Sequence, residues 1–272
     1  MRNSNQHFIA DFKLSITKAL ADQLHATLQQ IDTATLEQSN VDKLEARSGV
    51  YELFKSEGDS LTRVYVGKAK SDLRSRLNQH RIKISGRKGI CLQDIEFKAV
   101  YVDEDLDAAA PEKMLIDHYR KGGSVPWNTN GFGNKDPGRN RDKTIVKGNH
   151  FDALYPINLE YPLDEQEMGL SENAQIESAL SLLKRATPFT IRFQSHPDLD
   201  KPFYLLPHSK IPQTIKEWIT AIFECLPEGW QATALPGYVI IYKETQTYSA
   251  ASHYWYRNRE VAFNHAAQPS FE

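Results

Sequence analysis

Apolar residues recur every three or four positions in five stretches of the chain, the spacing of amphipathic helices. The predicted helices are residues 12–31, 73–84, 108–120, 172–186 and 214–226. Ser71 or Asp72 can cap the second of them. We expect the first helix to pack against the rest of the fold, with a dimer contact as the alternative.

Runs rich in Val, Ile, Tyr and Phe predict strands. Residues 48–54 and 63–66 flank the turn-forming residues 56–60, so they predict a β-hairpin. The other predicted strands are residues 95–102, 189–194, 203–206, 238–242 and 253–263, and a loop is predicted at residues 126–148. The order strand, strand, helix, strand, helix predicts an α+β fold with a central, mostly antiparallel sheet flanked by helices.

Length and composition allow two globular domains. The chain has 272 residues, of which 40% are hydrophobic and 25% charged, values typical of globular proteins. Residues 156–168 are irregular and acidic, which indicates a boundary. We therefore predict an N-terminal helical extension at residues 1–44, a first domain at residues 45–155 and a second, small α+β domain at residues 165–272.

Charge differs between the two halves of the chain. Residues 1–150 carry 24 Lys and Arg against 20 Asp and Glu, whereas residues 151–272 carry 9 against 15. Residues 63–88 alone hold nine basic side chains and one acid. Such a block can neutralise DNA phosphates, although a solvated helix face is the ordinary meaning of a charge run.

Several classes of protein are disfavoured. No apolar run approaches the roughly 18 residues of a membrane span, and the first ten residues do not look like a signal peptide. We expect a cytoplasmic protein with no membrane partner. Cys91 and Cys225 lack a C-x-x-C spacing, so we expect both to be reduced and buried rather than paired or bound to zinc.

Five short elements occur in a fixed order along the first half. They are Gly49-Val50-Tyr51, Tyr65-Val66-Gly67, the helical segment that carries Arg76 and His80, Pro111-Glu112, and Pro126-Trp127-Asn128. Together they resemble the GIY-YIG nuclease signature, with Val in place of Ile in both tripeptides, and the resemblance covers residues 45–155. Residues 131–138, followed by Arg141 and Phe151-Asp152, are similar to the type II restriction endonucleases that use this nuclease fold.

The same residues can be interpreted without the family. Arg76 and His80 lie four apart and should share one helix face, whereas Leu73, Leu77 and Ile84 form another that can pack on the sheet. An incidental surface pair is the alternative. Tyr51 and Tyr65 fall on adjacent strands and can point two phenols toward one site, although tyrosines on strands are usually core or surface aromatics.

Glu112 begins an otherwise apolar helix stripe with Leu115, Ile116 and Tyr119. A buried carboxylate is costly unless it is paired or binds a metal. The alternative is that Glu112 caps its own helix, where the helix dipole favours an acid.

The resemblance implies a role for each of these residues. Glu112 would hold Mg²⁺ or Mn²⁺, and Tyr51, assisted by His80, would be the general base for the attacking water. A phenol has a reference pKa of about 10, so this role needs nearby positive charge, which Lys68, Arg76 and the metal could supply.

Arg76 would also stabilise the charge that develops on the phosphate. Tyr65 would position water or phosphate, and Asn128 would form a hydrogen bond within the site. The predicted DNA contacts are Arg74, Arg81, Lys83, Arg87, Lys88, Lys135, Arg139 and Arg141. Residues 131–147 either approach DNA or form a structural crossover.

These features predict a metal-dependent DNA endonuclease, of a sequence-specific restriction type that defends against foreign DNA. Double-stranded DNA would be the substrate, and a homodimer is expected because two strands need two active sites. The alternatives are a nicking or structure-specific nuclease directed by its C-terminal domain or a partner, and a catalytically silent DNA-binding module. The C-terminal domain resembles nothing known to us; we expect it to contact a protein, to regulate, or to help recognise the target.

Overall fold

The computed structural model describes residues 16–58, 60–102, 115–117, 119, 125–134, 136, 138–171, 173–205 and 210–263. The fold is α+β, as predicted. An antiparallel sheet lies in the first half, a second sheet lies in the C-terminal half, and helices lie at the N-terminus.

The first half is built on a four-stranded sheet. Its elements are α1 (Ile16–Gln29), β1 (Ala34–Thr35), α2 (Gln38–Val41), β2 (Gly49–Glu57), β3 (Ser60–Ala69), α3 (Leu73–Ser85) and β4 (Ile95–Tyr101). The sheet order is β1-β4-β2-β3, and every pair is antiparallel. The predicted hairpin, the helix that follows it and the next strand are confirmed.

The hairpin is longer and tighter than predicted. Glu57 pairs with Ser60, so two residues connect the strands instead of five. Gly58 has φ of 61°, a left-handed conformation that glycine adopts at no steric cost and that two-residue hairpin turns require. Residues assigned to the turn from their composition therefore extend both strands.

The two faces of this sheet bury different sets of side chains. Tyr51 and Leu53 pack with Leu73 and Leu77 of α3 on one face. The opposite face carries Val50 and packs against α1 and helical residues 115–117 and 119. Its cluster is Leu24, Leu28, Val50, Val66, Leu115, Tyr119 and Val125. Because successive strand residues point to opposite faces, the neighbours Tyr51 and Glu52 lie on different sides of the sheet.

The helix α3 places its histidine differently from our prediction. Asp72 caps the helix, since its side chain accepts a hydrogen bond from the Ser75 amide at 2.8 Å. His80 is buried in one stripe with Leu77 and Ile84, three residues after the first and four before the second. The predicted separation of His80 from the packing face is wrong, and Arg76 is the partly exposed member of the pair.

The C-terminal half forms a second sheet with helices Ile176–Ala186 and Ile215–Cys225. The strands are β5 (Thr190–Phe193), β6 (Trp230–Ala234), β7 (Tyr238–Lys243), β8 (His253–Tyr256) and β9 (Arg259–Ala262), in the order β5-β7-β6-β8-β9. β5 runs parallel to β7, and the other pairs are antiparallel. Both helices are confirmed, although the first begins four residues later than predicted.

Three strand assignments in this half differ from prediction. The central strand β6 was not predicted, because Gln231 and Thr233 are buried beside apolar residues and remove the expected alternation. Residues 253–263 form two strands, since Asn258 with φ of 56° turns the chain back. Residues 203–205 form no strand.

The core of the second half begins soon after Tyr155, before the predicted start at residue 165. Ile157, Leu159 and Leu163 belong to its hydrophobic cluster, whereas Phe151 belongs to the first core. Cys91 is exposed and Cys225 half-buried, and both are free, so their predicted burial is wrong. Within the described part of the chain, every helix is too short or too polar to cross a membrane.

Candidate active site

The hairpin places Tyr51 across a glycine. Tyr51 on β2 pairs with Gly67 on β3, and a Cβ atom at Gly67 would collide with the Tyr51 hydroxyl. The second signature tripeptide therefore ends in glycine for a steric reason: the phenol of the first tripeptide occupies the space where a side chain would lie.

The Tyr51 hydroxyl lies between a base and a cation. It is 2.7 Å from Nε2 of His80, and Nε of Arg76 donates a hydrogen bond to it at 3.2 Å. Tyr51 is fully buried and His80 is 3% exposed. Arg76 and His80 do converge on one group, as the sequence predicted.

Burial, followed by the charges of Arg76 and Lys83, holds the pKa of His80 well below its ordinary value of 6.5. His80 is therefore neutral at pH 7. With its proton on Nδ1, its Nε2 can accept a hydrogen bond from the Tyr51 hydroxyl; this tautomer is inferred from the hydrogen-bond pattern. The pair can then pass a proton from phenol to imidazole.

Arg76 remains charged in this surrounding. Burial lowers the pKa of its guanidinium, but the charges and hydrogen bonds of Tyr51 and Tyr65 raise it, and the net shift is upward. The guanidinium thus links both signature tyrosines and can stabilise negative charge that develops on either of them or on a bound phosphate.

Aromatic rings enclose the cluster. The Tyr65 ring lies 6.1 Å from that of Tyr51 and 5.4 Å from that of His80. Phe132 stacks on His80 at 4.7 Å with an interplanar angle of 19°. Our sequence analysis gave Phe132 no role, although an aromatic residue between Gly131 and Gly133 in a polar loop was a usable signal.

Asn128 holds the edge of the sheet. Its Oδ1 accepts a hydrogen bond from the Val66 amide at 2.9 Å, and its Nδ2 donates to the Val66 carbonyl at 2.7 Å. β3 is an edge strand, so these two groups would otherwise lack a strand partner. Asn128 thereby fixes the backbone between Tyr65 and Gly67.

Two predicted site residues are not brought into this cluster. Lys68 pairs with Val50, whose side chain lies on the opposite face of the sheet, so strand alternation directs Lys68 away from the Tyr51 phenol. Its predicted effect on that phenol stays a prediction. Glu112 lies outside the described residues. In the part of the chain that is described, no group of three or more His, Cys, Asp or Glu could hold a metal ion.

The predicted DNA contacts differ widely in exposure. Arg74, Lys88, Arg139 and Arg141 are exposed, Arg81 and Lys83 are partly buried, and Lys135 lies outside the described residues. Burial lowers the pKa of Lys83 to about 8. Arg139 forms an ion pair with Glu244 at 3.4 Å.

Arg87 is a structural residue, so its predicted DNA contact is wrong. Its side chain is 4% exposed and pairs with Asp152 at 2.9 Å. Its Nη1 also donates to the carbonyls of Tyr155 at 3.2 Å and Pro236 at 3.3 Å. The guanidinium is therefore committed to joining the two halves of the chain.

Comparison with known proteins agrees with this geometry for part of the chain. A search of curated proteins found no match. The family model of the GIY-YIG catalytic domain matches residues 47–125, a shorter span than the resemblance at residues 45–155, and no family model matches the C-terminal region. The match spans both tyrosine tripeptides and all of α3, so residues 47–125 of this chain are similar to a GIY-YIG catalytic domain.

Proposed function

We propose that the protein is a metal-dependent DNA endonuclease of the restriction type, acting on double-stranded DNA. A GIY-YIG domain supports a nuclease-type function, and nucleases of this family act on DNA. The observation that carries the proposal is the buried Tyr51 hydroxyl between neutral His80 and cationic Arg76.

Hydrolysis of a phosphodiester requires a base that removes a proton from water. A phenol is a weak base until it loses its own proton. His80 can take that proton through the 2.7 Å contact, and the Arg76 charge stabilises the phenolate that remains. Tyr51 then accepts a proton from water at the same oxygen.

The charge that grows on the phosphate also needs a partner. Arg76 is held in place by its contacts with Tyr51 and Gln79, and its remaining N–H groups can donate to a phosphate oxygen. The Tyr65 hydroxyl, close to Gly133, is a second donor at this surface.

Magnesium is the cation that we propose. Mg²⁺ takes oxygen ligands and is commonly held by one or two carboxylates together with waters and substrate phosphates. Glu112 would supply one such carboxylate. When bound, the ion would act as a Lewis acid at the phosphate.

Plasmid DNA incubated with and without Mg²⁺ tests the proposal. Cleavage that requires Mg²⁺ and falls at least about 100-fold in Glu112→Ala supports the metal assignment, since loss of one electrostatic stabiliser costs about 10² to 10³ in rate. Glu165→Ala, at an acid of the C-terminal half, is the control. Unchanged cutting by Glu112→Ala would exclude Glu112 as the ligand.

The products separate the remaining functions. Discrete fragments indicate a sequence-specific enzyme, and nicked circles indicate a nicking or structure-specific one. Binding without cleavage indicates a silent module. A role in defence, a homodimer, and a protein contact made by the C-terminal domain remain predictions, and sedimentation of the protein with and without DNA tests the second.

A further inference from the structure

A cleft of about 630 Å³ lies between the two halves of the molecule, beside the candidate active site. Gln79, Ile82 and Lys83 of α3 line one wall, and Gln79 is hydrogen-bonded to Arg76 of the candidate active site at 3.3 Å. Described residues between 129 and 150 form a second wall, and residues 184–190 and 235–238 of the C-terminal half form a third. Clefts that bind ligands measure roughly 300 to 1,000 Å³, so this one is large enough for a short stretch of a polymer.

Each acid that lines the cleft pairs with an arginine. Asp136 pairs with Arg192 at 3.0 Å, and Asp152 pairs with Arg87 at 2.9 Å. Asp142 is 3% exposed and is held by Arg192 and by the Tyr238 hydroxyl, which donates to it at 2.9 Å. Asp136 and Asp142 share one guanidinium, so these pairs reduce the negative charge of the cleft without cancelling it.

The basic side chains of the cleft form fewer ion pairs than its acids do. Arg141, Lys147 and Lys184 are exposed at its rim, and no ion pair joins them to an acid among the described residues. Lys83 lies deeper, where its ammonium donates to the Phe132 carbonyl at 2.6 Å. The described lining holds five Lys or Arg against three Asp, so the cleft carries net positive charge.

The C-terminal half faces the cleft with a basic side chain although its overall composition is acidic. Residues 151–272 hold 15 acids and 9 bases. Nevertheless, of the described residues beyond residue 156 that line the cleft, only Lys184 is charged. An acidic domain thus turns a neutral to basic surface toward the cleft, which indicates an anionic occupant.

We propose that this cleft holds the sugar-phosphate backbone of the DNA strand that continues from the scissile phosphate, with the C-terminal half as one wall of the DNA-binding surface. The inference rests on the proposed function, because it takes DNA as the ligand. Backbone contacts position a protein on DNA without reading sequence. The cleft would therefore supply affinity and register rather than specificity.

The test compares two pairs of substitutions in the full chain. Lys147→Ala with Lys184→Ala removes cations of the cleft, whereas Lys143→Ala with Arg185→Ala removes exposed cations from the same two segments outside it. Affinity for a fluorescent DNA duplex is measured by anisotropy without divalent ions, over a range of salt. The cleft pair should bind about tenfold more weakly, with a slope of log K against log salt smaller by about 2.

The control pair should keep the affinity and slope of the parent. Equal effects of the two pairs would overturn the cleft proposal, while Mg²⁺-dependent cleavage by the parent would leave the nuclease function intact. Conversely, a parent that binds DNA through the cleft but does not cleave it with any divalent ion would overturn the nuclease function and keep the cleft. A parent that does not bind DNA overturns both.

Discussion

Tyr51 and Glu52 are consecutive residues of β2, and both are fully buried, yet they lie in two different polar clusters. On one face, the Tyr51 hydroxyl contacts a neutral imidazole and a guanidinium. On the other face, Glu52 pairs with Arg63 at 3.1 Å. Burial alone therefore does not separate a reactive group from a structural one.

In the Glu52 cluster the carboxylate pairs with a guanidinium, and that guanidinium lies over an aromatic ring. The Arg63 guanidinium lies 3.8 Å from the centre of the Tyr119 ring, and the Tyr119 hydroxyl is 2.7 Å from Nδ1 of His25. Burial and the neighbouring Glu52 raise the pKa of the Tyr119 hydroxyl, so this phenol keeps its proton. Tyr51 differs in the charge beside its hydroxyl: the Arg76 guanidinium donates to it and can stabilise a phenolate, whereas the Glu52 carboxylate disfavours a phenolate at Tyr119.

The largest expected effect is on catalysis. Tyr51→Phe should lower the cleavage rate about 10² to 10⁴-fold, the usual contribution of a general base, and change the unfolding free energy by only about 1 kcal/mol for the lost hydrogen bonds. Plasmid cleavage and urea unfolding measure the two quantities. Tyr204→Phe, at an exposed tyrosine, is the control; full activity in Tyr51→Phe would remove Tyr51 from the mechanism.

The next effect is on stability. Glu52→Ala should lower the unfolding free energy by about 3 to 5 kcal/mol, because Arg63 is left buried without its partner. Glu52→Leu combined with Arg63→Leu should recover part of that loss, since apolar replacement of a buried pair is often tolerated. If Glu52→Ala left stability intact but abolished cleavage by folded protein, the distinction between the two faces would fail.

Phe132→Leu should give a smaller change with a distinctive pH profile. The substitution nearly conserves volume and should cost under about 1.5 kcal/mol of stability. It removes the ring that stacks on His80, so the imidazole is less buried and its pKa rises toward 6.5. Because His80 accepts a proton only when neutral, the acidic limb of the rate profile should move to higher pH; an unmoved limb would show that Phe132 does not tune His80.

The smallest effect is the pH dependence of stability that His80 contributes. Its pKa is lowered by folding, so below pH 6.5 the unfolded chain binds a proton that the folded chain does not. The contribution of neutral His80 to the unfolding free energy is therefore present above pH 6.5. It is lost as pH falls below 6.5, by up to about 1.4 kcal/mol per pH unit. Between pH 7 and 5.5 the parent should lose more unfolding free energy than His80→Asn, and parallel curves would contradict the assignment.

The sequence could predict the parts of the fold that depend on local patterns. The hairpin and α3 with its Asp72 cap follow from alternation and capping, whereas the approach of Arg76 and His80 to Tyr51 was implied by the family resemblance. The pairing of Glu52 with Arg63 could not be predicted this way. A register shift between Leu53 and Phe54 intervenes, and Tyr119 comes from a distant segment.

The C-terminal half shows the same limit. β6 is central in its sheet, yet its Gln231 and Thr233 are buried, because the Gln231 amide donates to Thr233 Oγ1 and to the Gln246 carbonyl. Such internal pairing cannot be seen in a hydropathy pattern. Phe132 was overlooked for a related reason, since its importance depends on the His80 ring that lies against it.

Arg87 bears on whether the two halves can be separated. Its guanidinium pairs with Asp152 and donates to the Pro236 carbonyl, and Gly86 beside it packs so closely on Pro188 that a Cβ atom would not fit. Cutting the chain at residue 155 would strip carbonyl partners from a buried cation. The two halves should therefore melt as one cooperative unit, with a single calorimetric transition, and the first half should not fold stably once it is separated from the second.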